Sequence, residues 1–295
     1  MKVTSLRDIP ELPPGEAPPR KVAIGTFDGV HMGHREVIRG NDTVLTFNPH
    51  PLSVLAPEKA PPLVMPHSIQ RDVIGGLGVE ELVVIPFDRD FSLRTAEEFV
   101  EHVLVGQLGA TSVSVGENFH FGHKAKGSPD FLRSRQEFET RVVSLIEVDG
   151  EPVSSTRIRE LVTTGDVAGA AKLLGGPFIL QGPVVHGEKR GRELGYPTAN
   201  IVPREGFVLP ATGVYAGWAN EHPAAINVGV RPTFQSSLGL LVEPYLLDFD
   251  GDLYGQELKV AFAERLRGEE KFDSVDALKE QMAADVQRTR ELLAG

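Results

Sequence analysis

Up to about residue 174, short apolar or β-branched runs alternate with segments of helical periodicity; beyond Gly175-Gly176-Pro177 that alternation stops. This change of texture constrains the fold more than any single motif. Val22–Gly25, Thr43–Phe47, Leu82–Phe87, Thr111–Val115 and Val142–Val148 are near-continuous runs, as strands covered on both faces require. Between them, Ser68 precedes Ile69, Val73, Ile74 and Leu77 at helical spacing. Thr95 and Glu98 form a capping-box pattern ahead of Phe99, Val103 and Leu108, and Ser128-Pro129 reads as an N-cap followed by the first helical residue. The alternation predicts an α/β domain with a doubly wound parallel sheet and a ligand at the strand carboxyl ends.

The second half reads differently. Phe178–His186, Val214–Trp218, Ala224–Val230, Leu240–Phe249 and Leu258–Phe262 are separated by Gly, Pro and Asp turns, which predicts an antiparallel β-barrel or sandwich. One closing helix carries Val275, Leu278, Met282, Val286 and Leu293 behind Asp273 and Ser274 as caps. A length of 295 residues, at about 150 residues per domain, supports about two domains, and the change of texture sets them at 1–176 and 177–295.

Composition narrows the partners. With 30 Lys plus Arg against 41 Asp plus Glu the net charge is −11, a poor match for a nucleic-acid backbone, so no nucleic-acid partner is expected. Small phosphorylated ligands remain open where Lys and Arg act locally. The absence of cysteine excludes disulfides, thiol nucleophiles and Cys-based metal sites, and fits a reducing compartment. The first 21 residues carry charges and five prolines where a leader would be apolar. No run reaches the roughly 18 apolar residues of a membrane span. A soluble, cytoplasmic protein without a membrane partner is expected, and a homo-oligomer is left open.

The first chemical signal is Gly25-Thr26-Phe27-Asp28-Gly29-Val30-His31-Met32-Gly33-His34, directly after an apolar strand. Glycines at a strand-to-helix turn let backbone approach an anion, and histidines three residues apart share a face, so both imidazoles can reach one phosphate. Zinc held by His31 and His34 with His50 or Asp28, or simple capping of a turn, are the other readings of the same residues. Ser155 and Thr156, in Ser154-Ser155-Thr156-Arg157, either cap a helix or cradle phosphates together with Arg157. Asn118, flanked by Phe119 and Phe121, is either a turn with core aromatics or an amide beside aromatic faces that suit a flat heterocycle.

The second signal runs from Gly182 to Asn200. The spacing of Gly182 and Gly187 followed by Glu188-Lys189 is not a Walker A loop. Gly187, Gly191 and Gly195 interleaved with Lys189, Arg190 and Arg192 can still wrap phosphates, or form an exposed basic hairpin. Thr198 and Asn200, two apart in extended chain, place a hydroxyl and an amide oxygen on one side, as Mg²⁺ ligands or as a polar strand edge. Glu243 shares a strand face with Leu241, Tyr245 and Leu247, which puts it at a rim or makes it a group placed for chemistry.

Several of these segments resemble one family in order. GTFDGVHMGH resembles the signature of the HxGH nucleotidyltransferases in the form found in bacterial bifunctional riboflavin kinase/FAD synthetases. Thr46-Phe47-Asn48-Pro49-His50-Pro51, Gly116-Glu117-Asn118-Phe119-His120-Phe121-Gly122 and Ser154-Ser155-Thr156-Arg157-Ile158-Arg159 resemble further motifs of its adenylyltransferase half. Gly195-Tyr196-Pro197-Thr198-Ala199-Asn200 is similar to the GFPTAN signature of its kinase half, and Arg231-Pro232-Thr233-Phe234 to a segment lining the nucleotide site.

The resemblance implies a Rossmann-like nucleotidyltransferase domain followed by a six-stranded barrel with a C-terminal helix. It implies two reactions: phosphorylation of riboflavin to FMN, and adenylylation of FMN to FAD with release of pyrophosphate. ATP would be the co-substrate of both, and Mg²⁺ the cofactor. It implies His31 and His34 as catalytic groups, with Gly25, Phe27, Asp28, Gly33 and Ser154, Ser155, Thr156, Arg157 around ATP phosphates. The flavin would meet His50, Pro51, Asn118, Phe121 and Arg231. In the second half Glu243 would be the general base, Thr198 and Asn200 the Mg²⁺ and phosphate ligands, and Gly187, Lys189, Arg190, Gly191 and Gly195 the ATP loop.

One segment departs from the pattern. Only Arg35–Asp42 separate the histidines from the next strand, where the family has a distinctly longer helix. A parallel crossover takes about a dozen residues, which Thr26–Asp42 just supplies. A short helix is expected there, and with it the alternative of a riboflavin kinase with an impaired adenylyltransferase half. A non-catalytic flavin- or nucleotide-binding regulator is the remaining alternative; Thr198, Asn200 and Glu243 together argue against it, because binding needs no base.

Overall fold

The computed structural model of the protein describes residues 1–185, 196, 198–230 and 240–294. It forms two compact units, Met1–Pro61 with His67–Ser154, and Pro62–Pro66 with Ser155–Gly295.

The first unit runs β1 (Lys2–Ser5), β2 (Arg20–Ile24), α1 (Met32–Ile38), β3 (Thr43–Asn48), α2 (Pro51–Leu55), α3 (His67–Gly76), β4 (Glu81–Pro86) and α4 (Ala96–Glu98), which continues as a π-helix over Phe99–Gln107. It goes on through β5 (Ala110–Gly116), α5 (Pro129–Arg133), β6 (Glu139–Val143) and a small hairpin, β7 (Glu147–Val148) with β8 (Glu151–Pro152). Six strands form one parallel sheet in the order β1-β4-β3-β2-β5-β6. The chain winds outward from β2 to β4 and then returns to β5 on the other side of β2. The topological switch therefore lies between β2 and β5, where loops diverge and leave a crevice. Val22, Ile24, Leu45, Val83, Ile85, Val113 and Val115 are buried along these strands against Phe99, Val103 and Leu104 of the long helical turn. The capping box at Thr95 and Glu98 and the Ser128 cap before Pro129 form as the sequence predicts.

One expectation needs correction. The run Val142–Val148 is not one strand: β6 ends at Val143, and Glu147-Val148 pairs instead with Glu151-Pro152. The cause is the Asp149-Gly150 turn, with φ of 54° and 80°, a dipeptide that closes two-residue hairpins. In addition, the charged, proline-rich N-terminus contains an edge strand. In β1, Lys2 and Thr4 turn to Glu81 of β4, which accepts Thr4 Oγ1 at 2.6 Å and pairs with Lys2 at 3.0 Å and Arg20 at 3.1 Å.

The short crossover closes without strain at its end. Asn41 Nδ2 donates to the last carbonyls of α1, Val37 at 3.0 Å and Ile38 at 3.2 Å, and Asp42 accepts the Lys21 backbone N–H at 3.1 Å. A seven-residue helix is enough to reach β3.

The second unit contains α6 (Ser155–Thr164), α7 (Val167–Leu174), β9 (Phe178–Val185), β10 (Asn200–Ile201), β11 (Gly213–Ala219), β12 (His222–Val230), β13 (Leu240–Leu246), β14 (Glu257–Arg267) and α8 (Val275–Leu293). Six strands close an antiparallel barrel in the order β10-β13-β12-β11-β14-β9. Ala224, Ile226 and Val228 on β12 and Val242 and Leu246 on β13 form a fully buried row, while Asn227 and Glu243 fall on the opposite, half-buried face. β14 extends beyond the apolar run to Arg267, so its polar second half carries the ladder with β11 through two register shifts. The texture changes directly ahead of β9, whereas α6 and α7 count with the barrel unit. Pro62–Pro66 also belongs there: Leu63 donates to Gly206 O at 2.7 Å and accepts from Val208 at 2.9 Å.

Candidate functional site

Three sequence motifs leave the carboxyl ends of three adjacent strands, β3, β2 and β5, which flank the switch point. After β2 the backbone makes a sharp turn with positive φ at Phe27 (50°), Gly29 (89°) and Val30 (41°). Phe27 and the β-branched Val30 are strained in this region, and both are buried, as is Asp28. Gln70 of α3 holds the turn. Its buried Nε2 donates to Thr26 O at 2.8 Å and Phe27 O at 3.0 Å, and its Oε1 lies 3.1 Å from His67 Nδ1. Thr46 Oγ1 of β3 adds a third bond, to Thr26 O at 3.1 Å.

This turn delivers the histidines. His31 caps α1, its Nδ1 accepting the His34 backbone N–H at 3.2 Å. The capping reading is therefore realised, and it has a chemical consequence: with Nδ1 an acceptor, neutral His31 carries its proton on Nε2. The two rings stack with centroids 3.5 Å apart, and Phe27 meets the His34 ring edge-on at 5.3 Å. A Cβ at Gly33 would stand 3.3 Å from the His31 ring, and one at Gly25 3.1 Å from Phe27, so both glycines make room for the rings. Burial, and then the nearby His31, push the His34 pKa well below 6.5. His34 Nδ1 is buried with no partner among the described residues. Among the described residues no three His, Asp or Glu are grouped to hold a metal, so the zinc arrangement around His31, His34 and His50 or Asp28 is not formed.

After β3, His50 caps α2 by accepting the Leu52 N–H at 3.2 Å, and Pro51 opens that helix. After β5, Asn118 is exposed and Phe121 buried, with Phe119 stacked on it at 5.5 Å and Phe99 at 5.3 Å. The aromatic pair thus joins the core and leaves the amide outside it. Ser154 ends the first unit. Ser155, Thr156 and Arg157 form the first turn of α6, where Arg157 pairs with Glu160 at 3.2 Å.

In the barrel, Thr198 and Asn200 enter β10. Ile201 pairs with Val242 and the Ala199 N–H donates to Pro244 O at 3.0 Å, so the register sets Asn200 opposite Glu243. On its other side Glu243 pairs with Asn227 of β12, whose Nδ2 donates to Glu243 Oε2 at 3.2 Å. Directly opposed residues share a face, so Asn200, Glu243 and Asn227 form one row across three strands. Thr198 falls opposite Tyr245, whose ring takes Tyr196 edge-on at 5.2 Å. Asn200 is buried; among the described residues its Nδ2 has a 3.5 Å contact to Thr198 O and its Oδ1 has no partner. A buried amide oxygen left open beside a hydroxyl is a hard donor pair for a divalent cation. Gly187, Lys189, Arg190, Gly191, Gly195 and Arg231 lie outside the described residues.

Sequence reasoning passed over Gln70 and Asn227. Each is a polar residue in an apolar row, Gln70 one turn from Ile74 on the buried side of α3, and Asn227 between Ala225 and Gly229 on β12.

Two family models match the chain, one described as FAD synthetase over residues 14–157 and one as riboflavin kinase over 174–293. The bifunctional riboflavin kinase/FMN adenylyltransferase of Pseudomonas fluorescens is 38% identical, with 92% of each chain covered. The chain belongs to this family. The Bacillus subtilis riboflavin kinase/FMN adenylyltransferase is 36% identical, with 90% of each covered. A crystal structure described as a macrolide-efflux protein from Streptococcus pneumoniae aligns with a TM-score of 0.85 at 32% identity, covering 98% of this chain and 99% of that one. Among the described residues of this riboflavin kinase/FMN adenylyltransferase family member, no helix is long and apolar enough to cross a membrane.

Proposed function

We propose that the chain converts riboflavin to FMN in its C-terminal domain, 177–295, and FMN to FAD in its N-terminal domain, 1–176. The carrying observation is the row in the barrel: a carboxylate, Glu243, directly opposite a buried amide oxygen, Asn200 Oδ1, that no group among the described residues satisfies. A binding module gains nothing from such an orphan, which costs about 1–3 kcal/mol.

In the kinase step Glu243 takes the proton of the terminal ribityl hydroxyl as its oxygen attacks the γ-phosphorus of ATP. The P–O bond to ADP breaks, leaving FMN, ADP and a proton on the carboxylate that passes to water. Thr198 and Asn200 fit Mg²⁺, and Mg²⁺ held there would offset charge developing on the phosphates. Gly187, Lys189, Arg190, Gly191 and Gly195 are assigned to the ATP phosphates, and Arg231 to the flavin.

In the second step the FMN phosphate oxygen attacks the α-phosphorus of another ATP and pyrophosphate leaves. No protein nucleophile is required, so catalysis is positioning and charge stabilisation. His31 donates from Nε2–H, and neutral His34 stacks against it and limits its reorientation. Gly25, Phe27, Asp28 and Gly33 shape this turn for ATP, Ser154, Ser155, Thr156 and Arg157 contact phosphate, and His50, Pro51, Asn118 and Phe121 receive the flavin. The setting in this reading is cytoplasmic, without nucleic acid or membrane.

The test is incubation with riboflavin, ATP and Mg²⁺ and chromatographic separation of FMN and FAD. Both products are expected. His31→Ala or His34→Ala should abolish FAD and spare FMN; Glu243→Ala should abolish FMN and spare FAD made from supplied FMN. Loss of both activities in any one of these variants would overturn the two-site reading.

A further inference from the structure

We infer that His67 is a positioning residue for FAD formation, acting through Gln70 on the turn that carries His31 and His34; the inference rests on that turn being the adenylylation site. The direction of each bond follows from its atoms. Thr26 O and Phe27 O can only accept, so the Gln70 atom 2.8 Å and 3.0 Å from them is the amide nitrogen, and the two bonds use both its hydrogens. The other end of the amide is then Oε1, which also can only accept, and it lies 3.1 Å from His67 Nδ1. That contact is a hydrogen bond only when Nδ1 carries a proton. Protonation of the ring at Nε2 leaves this donor in place. The relay runs one way: His67 donates to Gln70, and Gln70 donates to the turn.

The turn depends on donors from outside it. Positive φ at Phe27 and Val30 is a conformation that non-glycine residues hold at a cost, so neighbouring elements must over-determine it. Thr46 and Gln70 both donate to Thr26 O, and they differ in stiffness. Thr46 is set by the ladder of β3, where it pairs with Val84 of β4, and its short side chain leaves the hydroxyl little room to move. Gln70 reaches the turn from α3 on a longer, freely rotating side chain. Buried Ile69 and Ile74 seat the helix, but the amide at the end of that chain needs its own anchor. His67 opens α3 three residues earlier, on the same face as Gln70, and supplies it. Gln70 is only 4% exposed, so an Oε1 deprived of its donor is a nearly buried acceptor. The amide then gains by rotating towards water, which pulls Nε2 off the two carbonyls.

The consequence is for alignment more than for affinity. Phe27 meets the His34 ring edge-on, and His31 caps α1 by accepting the His34 N–H, so a shift of the Phe27 peptide carries both rings with it. Misplacement of a reacting group by about 1 Å costs about 100-fold. His67 stands one bond further from the histidines than Gln70 does, so its loss should cost less than that.

The experiment measures FAD formation from supplied FMN, ATP and Mg²⁺ by the full chain, with riboflavin phosphorylation and a thermal melt as controls. Its variants are His67→Asn, His67→Leu, and His67→Leu combined with Gln70→Leu. Asparagine sets Nδ2 where the imidazole has Nδ1, and leucine matches that shape without a donor. His67→Leu should lower kcat about 10-fold, with KM for FMN and ATP changed less than about twofold. His67→Asn should stay within about twofold of the wild type, because the donor is restored. Added to Gln70→Leu, His67→Leu should lower FAD formation no further, because the relay is already cut. FMN formation should hold at the wild-type rate throughout. Wild-type kcat in His67→Leu would overturn the inference, and so would equal losses in the Asn and Leu variants, which would make the ring and not its donor the cause. A further fall in the double variant would also overturn it, by giving His67 a role that bypasses Gln70. Full FAD formation by His31→Ala would instead overturn the assignment of the turn beneath it.

Discussion

The rings of His31 and His34 lie 17° from parallel at 3.5 Å, and the Nδ1 of His31 accepts the backbone N–H of His34. Burial disfavours a charged ring here, and the stacked His31 adds to the penalty, so folded His34 has its pKa well below 6.5. In the unfolded chain His34 protonates near pH 6.5. The unfolded state therefore binds the extra proton first, and the His34 contribution to stability is present above pH 6.5 and lost as pH falls towards the depressed folded value. The slope from this one group approaches about 1.4 kcal/mol per pH unit. Thermal melts of the wild type and His34→Gln between pH 7 and pH 5 should show the wild type losing stability more steeply. Equal slopes would count against the buried neutral ring.

A second prediction concerns Gln70. Its Nε2 serves two consecutive carbonyls of a strained turn, those of Thr26 and Phe27. Gln70→Leu keeps much of the shape and the burial but leaves those carbonyls with fewer donors, at about 1–3 kcal/mol for each that is left unsatisfied. The turn should relax, the histidines shift, and FAD formation from FMN should fall more than tenfold at a temperature where the melt shows the protein folded, while FMN formation from riboflavin is retained. Unchanged FAD formation would show that the turn holds itself.

How far these sites could be read beforehand differed by the kind of signal. Motif residues were legible because glycines, histidines and caps act locally: the Thr95–Glu98 capping box and the His31 cap on α1 depend on neighbours within a few residues, whereas the turn before His31 is also held from α3 and β3. Strand pairing does not. Nothing near Glu243 in sequence says that Asn200 lies on one side and Asn227 on the other, since only the closed barrel brings β10, β13 and β12 together. Edge strand β1 escaped notice because an edge needs few buried residues, and half of the second strand of the hairpin β7–β8 is Pro152, which breaks the apolar pattern. Asp149-Gly150 was the available signal there, and it outweighed the β-branched run around it.

A third prediction follows from the clamp on the last helix. Asp285 of α8 accepts from Arg267 Nε at 3.1 Å and Nη2 at 2.8 Å, with Gln281 Nε2 at 2.9 Å, and both charged side chains are largely buried. Removing one partner strands the other charge. Asp285→Ala should cost about 3–5 kcal/mol, whereas the apolar pair Arg267→Met with Asp285→Leu should recover most of it. Denaturant melts and limited proteolysis at α8 check this; a double variant no better than Asp285→Ala would mean that packing, not charge, sets the cost.

The last prediction uses a difference in sign. Most buried polar residues are kept for stability, and their removal destabilises. Asn200 is built the other way: its Oδ1 is buried and unpartnered among the described residues, so the folded protein bears a desolvation cost that a ligand would relieve. Asn200→Val suits an extended strand and removes that acceptor. In the absence of nucleotide and Mg²⁺ the variant should melt at or above the wild-type temperature, since the orphan disappears. With ATP and Mg²⁺ the order should reverse, because ligand stabilises the wild type in proportion to its binding and the variant has lost a ligating oxygen. Riboflavin phosphorylation should fall at least 100-fold. A variant that melts lower without ligand yet keeps its ATP–Mg²⁺ shift would identify Asn200 as a structural residue and remove the observation on which the cation site stands.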